Sequence, residues 1–153
     1  FLDPWADPLN TGFQIIQSLI AVGTGGITGR GLMEGLQKLR FLPEPQTDFI
    51  YAVIAEETGL LGSMAVLGAL LVIGWRGLRI AANAQDRFGA FLAIGLTTMM
   101  AVQGLINISV VLGLLPTKGL PLPFVSAGGS SMLVNLIGLG ILLNVSQHAS
   151  IDA

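Results

Sequence analysis

The 153-residue chain has no cysteine, a single histidine (His148) and little charge, with Asp, Glu, Lys and Arg making up 10% of it. Without cysteine, disulfides and thiolate chemistry are excluded, and the redox compartment leaves no trace. One histidine rules out a histidine-rich metal site. Soluble domains carry about 25% charged residues, so the shortage points to lipid as the solvent. The seven bases are scattered and the net charge is −2, which excludes a nucleic-acid footprint. The chain opens at Phe1 with no basic leader and cleavage site, and is expected to be a piece of a longer membrane protein.

What is present is apolar: 52% of residues are hydrophobic and mean hydropathy is +0.77. A transmembrane helix needs about 20 mostly apolar residues. Three stretches qualify: 49–75, uncharged after Glu57, and the wholly uncharged 88–113 and 128–147. Each has helical length and no interior proline, which favours helix over strand. The expected fold class is all-α, a fragment of a polytopic membrane helix bundle with three transmembrane helices.

Residues 1–48 read as a large extracytoplasmic loop. "FLDPWADPLN" suits an aromatic-anchored interfacial turn. "IIQSLIAVGTGGITGRGL" is apolar but short, with glycines at 23, 25, 26, 29 and 31. Each glycine inside a helix costs about 1 kcal/mol relative to alanine. A re-entrant or interfacial element is expected, opened by Gln14, Gln17 and Ser18 and buried in protein or lining a wet cavity.

The connection 76–87 holds Arg76, Arg79 and Arg87 against Asp86, and the positive-inside rule assigns it to the cytoplasm. The loop 114–127, broken by Pro116, Pro121 and Pro123, then faces outward with residues 1–48, and 148–153 form a cytoplasmic tail. This arrangement leaves Arg30, Lys38 and Arg40 outside.

The polar groups of this apolar chain need explaining. "FLPEPQTDFIYAVIAEE" gathers Glu44, Asp48, Glu56 and Glu57 at the mouth of the first span. Thr47 or Asp48 can cap the helix; Asp48 can equally be a general base or cation ligand at the outer surface. Glu56 and Glu57 would lie roughly 12–14 Å deeper than Asp48 if the helix began there. Buried charge in a bilayer costs about 2.5–3.5 kcal/mol, so the pair either sits near the interface, faces a cavity or pairs with other parts of the protein. Glu56, about 80° from Asp48 around the axis, is better placed than Glu57 to share its side. Gln103 with Asn107, and Ser131 with Asn135, form polar stripes expected to make interhelical hydrogen bonds. Gly138 and Gly140 are expected to allow close helix packing.

"SAGGSS" (126–131) suits either a plain cap or a nest of backbone N–H groups at a helix N-terminus, which would hold a phosphate through Ser126, Gly128, Gly129, Ser130 and Ser131. Lys118 in the same loop is either a headgroup anchor or a partner of that nest, and Arg30, Lys38 and Arg40 could serve the same end or snorkel. The residues thus describe a helical membrane protein whose outer face suits an amphiphile with a phosphate head.

Two stretches resemble a known family. "FLPEPQTDFIYAVIAEETGLLG" and "GLLPTKGLPLPFVSAGGSSMLVNLIGLGILLNVS" are similar to signatures of the SEDS proteins of bacterial cell-wall synthesis, and the likeness runs from "GFQIIQSLIAVGTGGITGRGL" onward. "LLPTKGLPLPF" is nearer the division branch than the elongation branch. The chain departs from the family pattern at Gln46, Thr58 and Ala127, where histidine, leucine and tyrosine are usual.

The resemblance implies a peptidoglycan glycosyltransferase of the bacterial cytoplasmic membrane with an extracytoplasmic active face. It would polymerise lipid II, a glycan carried on undecaprenyl pyrophosphate, during septal wall synthesis and cell division. Asp48 matches the family's essential aspartate and is the expected catalytic base. Lys118, the 126–131 segment, Glu56 and Arg40 are expected on the substrate. The pyrophosphate leaving group calls for bases or a divalent cation, magnesium or manganese, with no organic cofactor. Expected partners are a class B penicillin-binding protein (a transpeptidase), other divisome proteins and membrane lipids, with no nucleic acid. A lipid II flippase and a non-catalytic scaffold that recruits the transpeptidase are the competing readings.

Overall fold

The computed structural model describes residues 13–31, 49–116 and 120–149. Among them lie four helices, α1 (Phe13–Gly25), α2 (Ile50–Ala82), α3 (Arg87–Val111) and α4 (Gly129–Gln147), and no strand. The expected all-α architecture is observed. Helices α2, α3 and α4 are long and apolar enough to cross a membrane. With 13 residues, α1 is about 20 Å long and too short to span.

Much of the molecule's surface is apolar. Leu61, Leu71, Leu114 and Leu133 are all exposed, as suits a bundle solvated by lipid or further helices rather than by water. Trp75, Phe88 and Phe91 are exposed beside Arg76, Arg79 and Arg87. Aromatic and basic side chains together are typical of a membrane–water boundary.

The first span differs from expectation at both ends. It was expected over 49–75, but α2 continues through Ala82. Arginine ends an apolar run without ending a helix. Arg79 lies in the last turn, where a cation complements the helix dipole. The arginine connection is therefore largely helical, and its turn is short. Asp86 closes that turn by capping α3, accepting the Gly89 amide at 2.8 Å. At its other end α2 has Phe49 at the N-cap, with no side-chain capping bond. The cap position expected at Thr47 or Asp48 is thus held by a phenylalanine, and those two residues lie outside the described ones.

Close approaches fix the helix crossings. A Cβ on Gly77 would collide with the Thr97 hydroxyl, so α2 and α3 meet there nearly backbone to side chain. Gly138 admits Met100 from α3, since a Cβ would stand 2.6 Å from its Cε, whereas Gly140 faces open space. Of the two glycines expected to allow close packing, only Gly138 does so.

Two apolar clusters anchor the bundle. One joins Ala21, Phe49, Tyr51, Ala52, Ile108, Val111 and Leu122, so α1, the start of α2, the end of α3 and the proline-rich loop share one core. The other joins Ala81, Ala93, Met100 and Leu142 toward the arginine end. The first cluster lies at the loop end of the bundle.

Candidate functional site

The loop end of the bundle is built around a break in α2. Gly59 has φ 68° and ψ −157°, a conformation essentially restricted to glycine. In an unbroken helix the amides of Leu60 and Leu61 would reach the carbonyls of Glu56 and Glu57. Here they reach the carbonyls of Gly26 at 2.9 Å and Ile27 at 3.5 Å. The carbonyls of Glu56 and Glu57 accept instead from the amides of Arg30 and Gly31, both at 3.1 Å. The turn that follows α1 is therefore inserted into the hydrogen-bond ladder of α2, and each broken bond is replaced at both of its ends.

That insertion needs bare backbone. A Cβ on Gly29 would strike the Glu57 carbonyl, and one on Gly59 would strike the Gly29 amide. Gly29 also has φ 77°. Thr58, just before the break, bonds back to the Ile54 carbonyl at 2.6 Å, an arrangement that bends helices. Helix α1 docks on the bundle through Ile15, Ile16, Ser18 and Ala21, while Leu19 and Ile20 stay exposed. Ser18, wholly buried, places its hydroxyl 2.8 Å from the Ile15 carbonyl and 3.0 Å from that of Val111. Val111 ends α3, where a carbonyl has no intrahelical donor.

Glu56 is 1% exposed and Glu57 half-buried in the turn before Gly59. Glu56 is thus enclosed rather than open at a membrane interface, and its backbone lies against the 25–31 segment. The two glutamates are where the backbone of α2 is opened, and nothing in their spacing in the sequence signals that.

The proline-rich loop is an ordered element. Gln103 donates to the Pro121 carbonyl at 2.8 Å, and Asn107 to that of Leu120 at 2.7 Å. Ser126 accepts the Leu122 amide at 2.8 Å, and Leu122 and Ser126 are both buried. Phe124 takes φ 63°, rare for a bulky residue. The stripe of Gln103 and Asn107 therefore holds a loop, where bonds to another helix were expected. Asn135 bonds within its own helix, to the Ser131 carbonyl at 3.0 Å and its hydroxyl at 3.4 Å, so that stripe is not interhelical as expected either. A side chain four residues away on the same helix is simply nearer than the neighbouring one.

The expected phosphate nest takes a different form. Gly128 is extended, with φ −71° and ψ 103°, and no nest of alternating left-handed residues forms. What remains is a helix N-terminus: α4 starts at Gly129, with Gly129 and Ser130 exposed and no side-chain cap at Gly128. Its first-turn amides have no intrahelical acceptors. Ser126 is turned into the loop's own hydrogen bonding. Arg40, Asp48 and Lys118 lie outside the described residues, on stretches that enter α2 at Phe49 and the loop at Leu120.

Three membrane-capable helices, the first of them opened by the turn that follows a short docked helix, define a multi-pass α-helical membrane protein. The chain belongs to the FtsW/RodA/SpoVE family of cell cycle proteins, the SEDS proteins, which matches residues 1–151. A protein of Geobacter metallireducens named probable peptidoglycan glycosyltransferase FtsW is 58% identical over 148 residues, 97% of this chain and 40% of its own. Stage V sporulation protein E of Bacillus subtilis is 53% identical over 149 residues, 97% of this chain and 41% of its own. A solved chain from "Structural coordination of polymerization and crosslinking by a peptidoglycan synthase complex" superposes with a TM-score of 0.75 at 31% identity, over 99% of this chain and 40% of that one. The chain thus spans about two fifths of the length of these relatives.

Proposed function

We propose that this chain is the part of a peptidoglycan glycosyltransferase that carries its catalytic aspartate, and that the whole protein polymerises lipid II on the outer face of the bacterial cytoplasmic membrane in division. The observation that carries this reading is the place where the Asp48 stretch joins the bundle. Phe49, the next residue, is locked into the core shared by α1, α3 and the proline-rich loop. A general base must be held in reach of the proton it takes, and a residue bonded directly to a fixed core position has that support.

In the reaction, the acceptor sugar's 4-hydroxyl attacks the anomeric carbon of the donor. Asp48 takes the proton of that hydroxyl as the new glycosidic bond forms. The bond to the lipid pyrophosphate breaks, and its charge needs electropositive partners. Lys118, Arg40 and the first-turn amides of α4 at Gly129, Ser130 and Ser131 are assigned to it. Glu56 acts at one remove, with its backbone against the inserted turn. A divalent cation such as magnesium or manganese would supply Lewis-acid charge to the same oxygens. Among the described residues no three His, Asp, Glu or Cys side chains gather to hold one. A class B penicillin-binding protein is the natural recipient of the glycan strand, as its transpeptidase.

The test uses the full-length protein with its transpeptidase in vesicles holding fluorescent lipid II. A glycan ladder on gels is the expected result. Movement of lipid II between leaflets with no ladder would favour a flippase. Neither activity, with the transpeptidase still recruited, would favour a scaffold.

A further inference from the structure

We infer that Gln103 and Asn107 are positioning residues, which set the proline-rich loop and the N-terminus of α4 against the substrate's pyrophosphate. The inference rests on the glycosyltransferase reading above.

The two carboxamides stand one turn apart on α3 and share a face. They donate to consecutive carbonyls, Leu120 and Pro121. Beyond the apolar burial of Leu122 and Pro123, which has no directional preference, these bonds fix the orientation of its backbone. Pro121 and Pro123 have no N–H, so neither can donate a turn bond of its own. The remaining bonds lie further along, where the Ser126 hydroxyl accepts from Leu122 and the Leu122 carbonyl accepts from Ser126. Asn107 is 2% exposed and Gln103 half-buried. In such low-dielectric surroundings an amide–carbonyl bond is stronger than in water.

The clamp reaches the candidate site through Pro121. A Cβ on Gly128, the N-cap of α4, would stand 3.8 Å from the Pro121 Cβ and 3.5 Å from that of Ser131. Gln103 thus holds the carbonyl of a residue whose ring borders the α4 N-terminus. Asn107 holds Leu120, two residues after Lys118 in the chain. One pair of side chains thus fixes the loop where it borders the α4 N-terminus. Phe124 at φ 63° shows how firmly the segment is constrained.

The experiment uses full-length protein with its transpeptidase, in a cysteine-free background carrying a spin label at Ala127→Cys. Ala127 is exposed and precedes Gly128. Gln103→Met and Asn107→Leu keep the size of each side chain and remove its donors. Each is expected to increase label mobility and to lower the polymerisation rate by about tenfold to a hundredfold, the range for a misplaced reacting group. Gln103→Glu, which retains polarity but cannot donate, is expected to do the same and serves if the apolar variants fold poorly. Asp86→Ala, which removes the α3 cap at the other end of the bundle, is expected to lower the melting temperature yet leave label and rate unchanged. An unchanged spectrum, full polymerisation from a mobile loop, or equal losses in Asp86→Ala would each overturn the inference. A wild type that makes no polymer overturns the glycosyltransferase reading, and the inference with it. An active wild type matched by all clamp variants overturns the inference alone.

Discussion

The amide of Leu60 bonds to the carbonyl of Gly26 at 2.9 Å, across two segments more than thirty residues apart in the chain. A helix has been opened by one turn and the gap filled with another piece of backbone. The exchange gives the amides of Leu60 and Leu61 and the carbonyls of Glu56 and Glu57 new partners, as buried polar groups in an apolar solvent require. It also places the burial of Glu56 and the docking of α1 under one structural condition, the glycines of the seam.

That condition can be tested at Gly59. Gly59→Ala must adopt a conformation that costs about 1–3 kcal/mol in a residue with a side chain, and its Cβ would meet Gly29 and Ile27. Detergent melts of full-length protein should show a clear fall in melting temperature. Gly23→Ala, in a helix with open space around it, should be neutral or stabilising by up to about 1 kcal/mol.

Ser18 links α1 to the buried C-terminal end of the α3 ladder. Ser18→Ala removes the buried donor from the Val111 carbonyl, at an expected cost of about 1–3 kcal/mol. Hydrogen exchange should rise across α1 and the 26–31 turn while the far end of α2 stays protected. Uniform protection would contradict the docking described above.

The α2–α3 crossing gives a double-mutant cycle. Gly77→Ala should destabilise by about 1–3 kcal/mol through its collision with Thr97. Thr97→Ala opens space there, and the double variant should recover most of the loss. Gly74→Ala, one turn away with nothing within 4 Å, should be tolerated.

Much of this was legible in the sequence, and the rest was not for physical reasons. The spans were readable because apolar length and the absence of charge are local properties, and the three arginines marked one boundary. The break at Gly59 was not, because "EETGLLG" looks like an ordinary apolar helix. Only the arrival of Gly26–Gly31 makes opening it favourable. The pairing of Gln103 with Asn107 was readable from a spacing of four. Its partner, a loop 13 to 18 residues away in sequence, was not. Asp86 was visible as the acid among arginines, but the cap it forms depends on where the turn closes. The glycines of "SAGGSS" suggested a nest. Their dihedrals make an ordinary helix start, because neither is forced into a positive φ.

The central claim is that Asp48 takes the proton from the acceptor hydroxyl. The most direct measurement is the initial rate of glycan formation from lipid II by full-length protein with its transpeptidase, wild type against Asp48→Asn, with lipid II binding followed in parallel. A general base contributes about 10²–10⁴-fold. The account predicts a loss in that range with binding retained, and equal rates from the two proteins would contradict it.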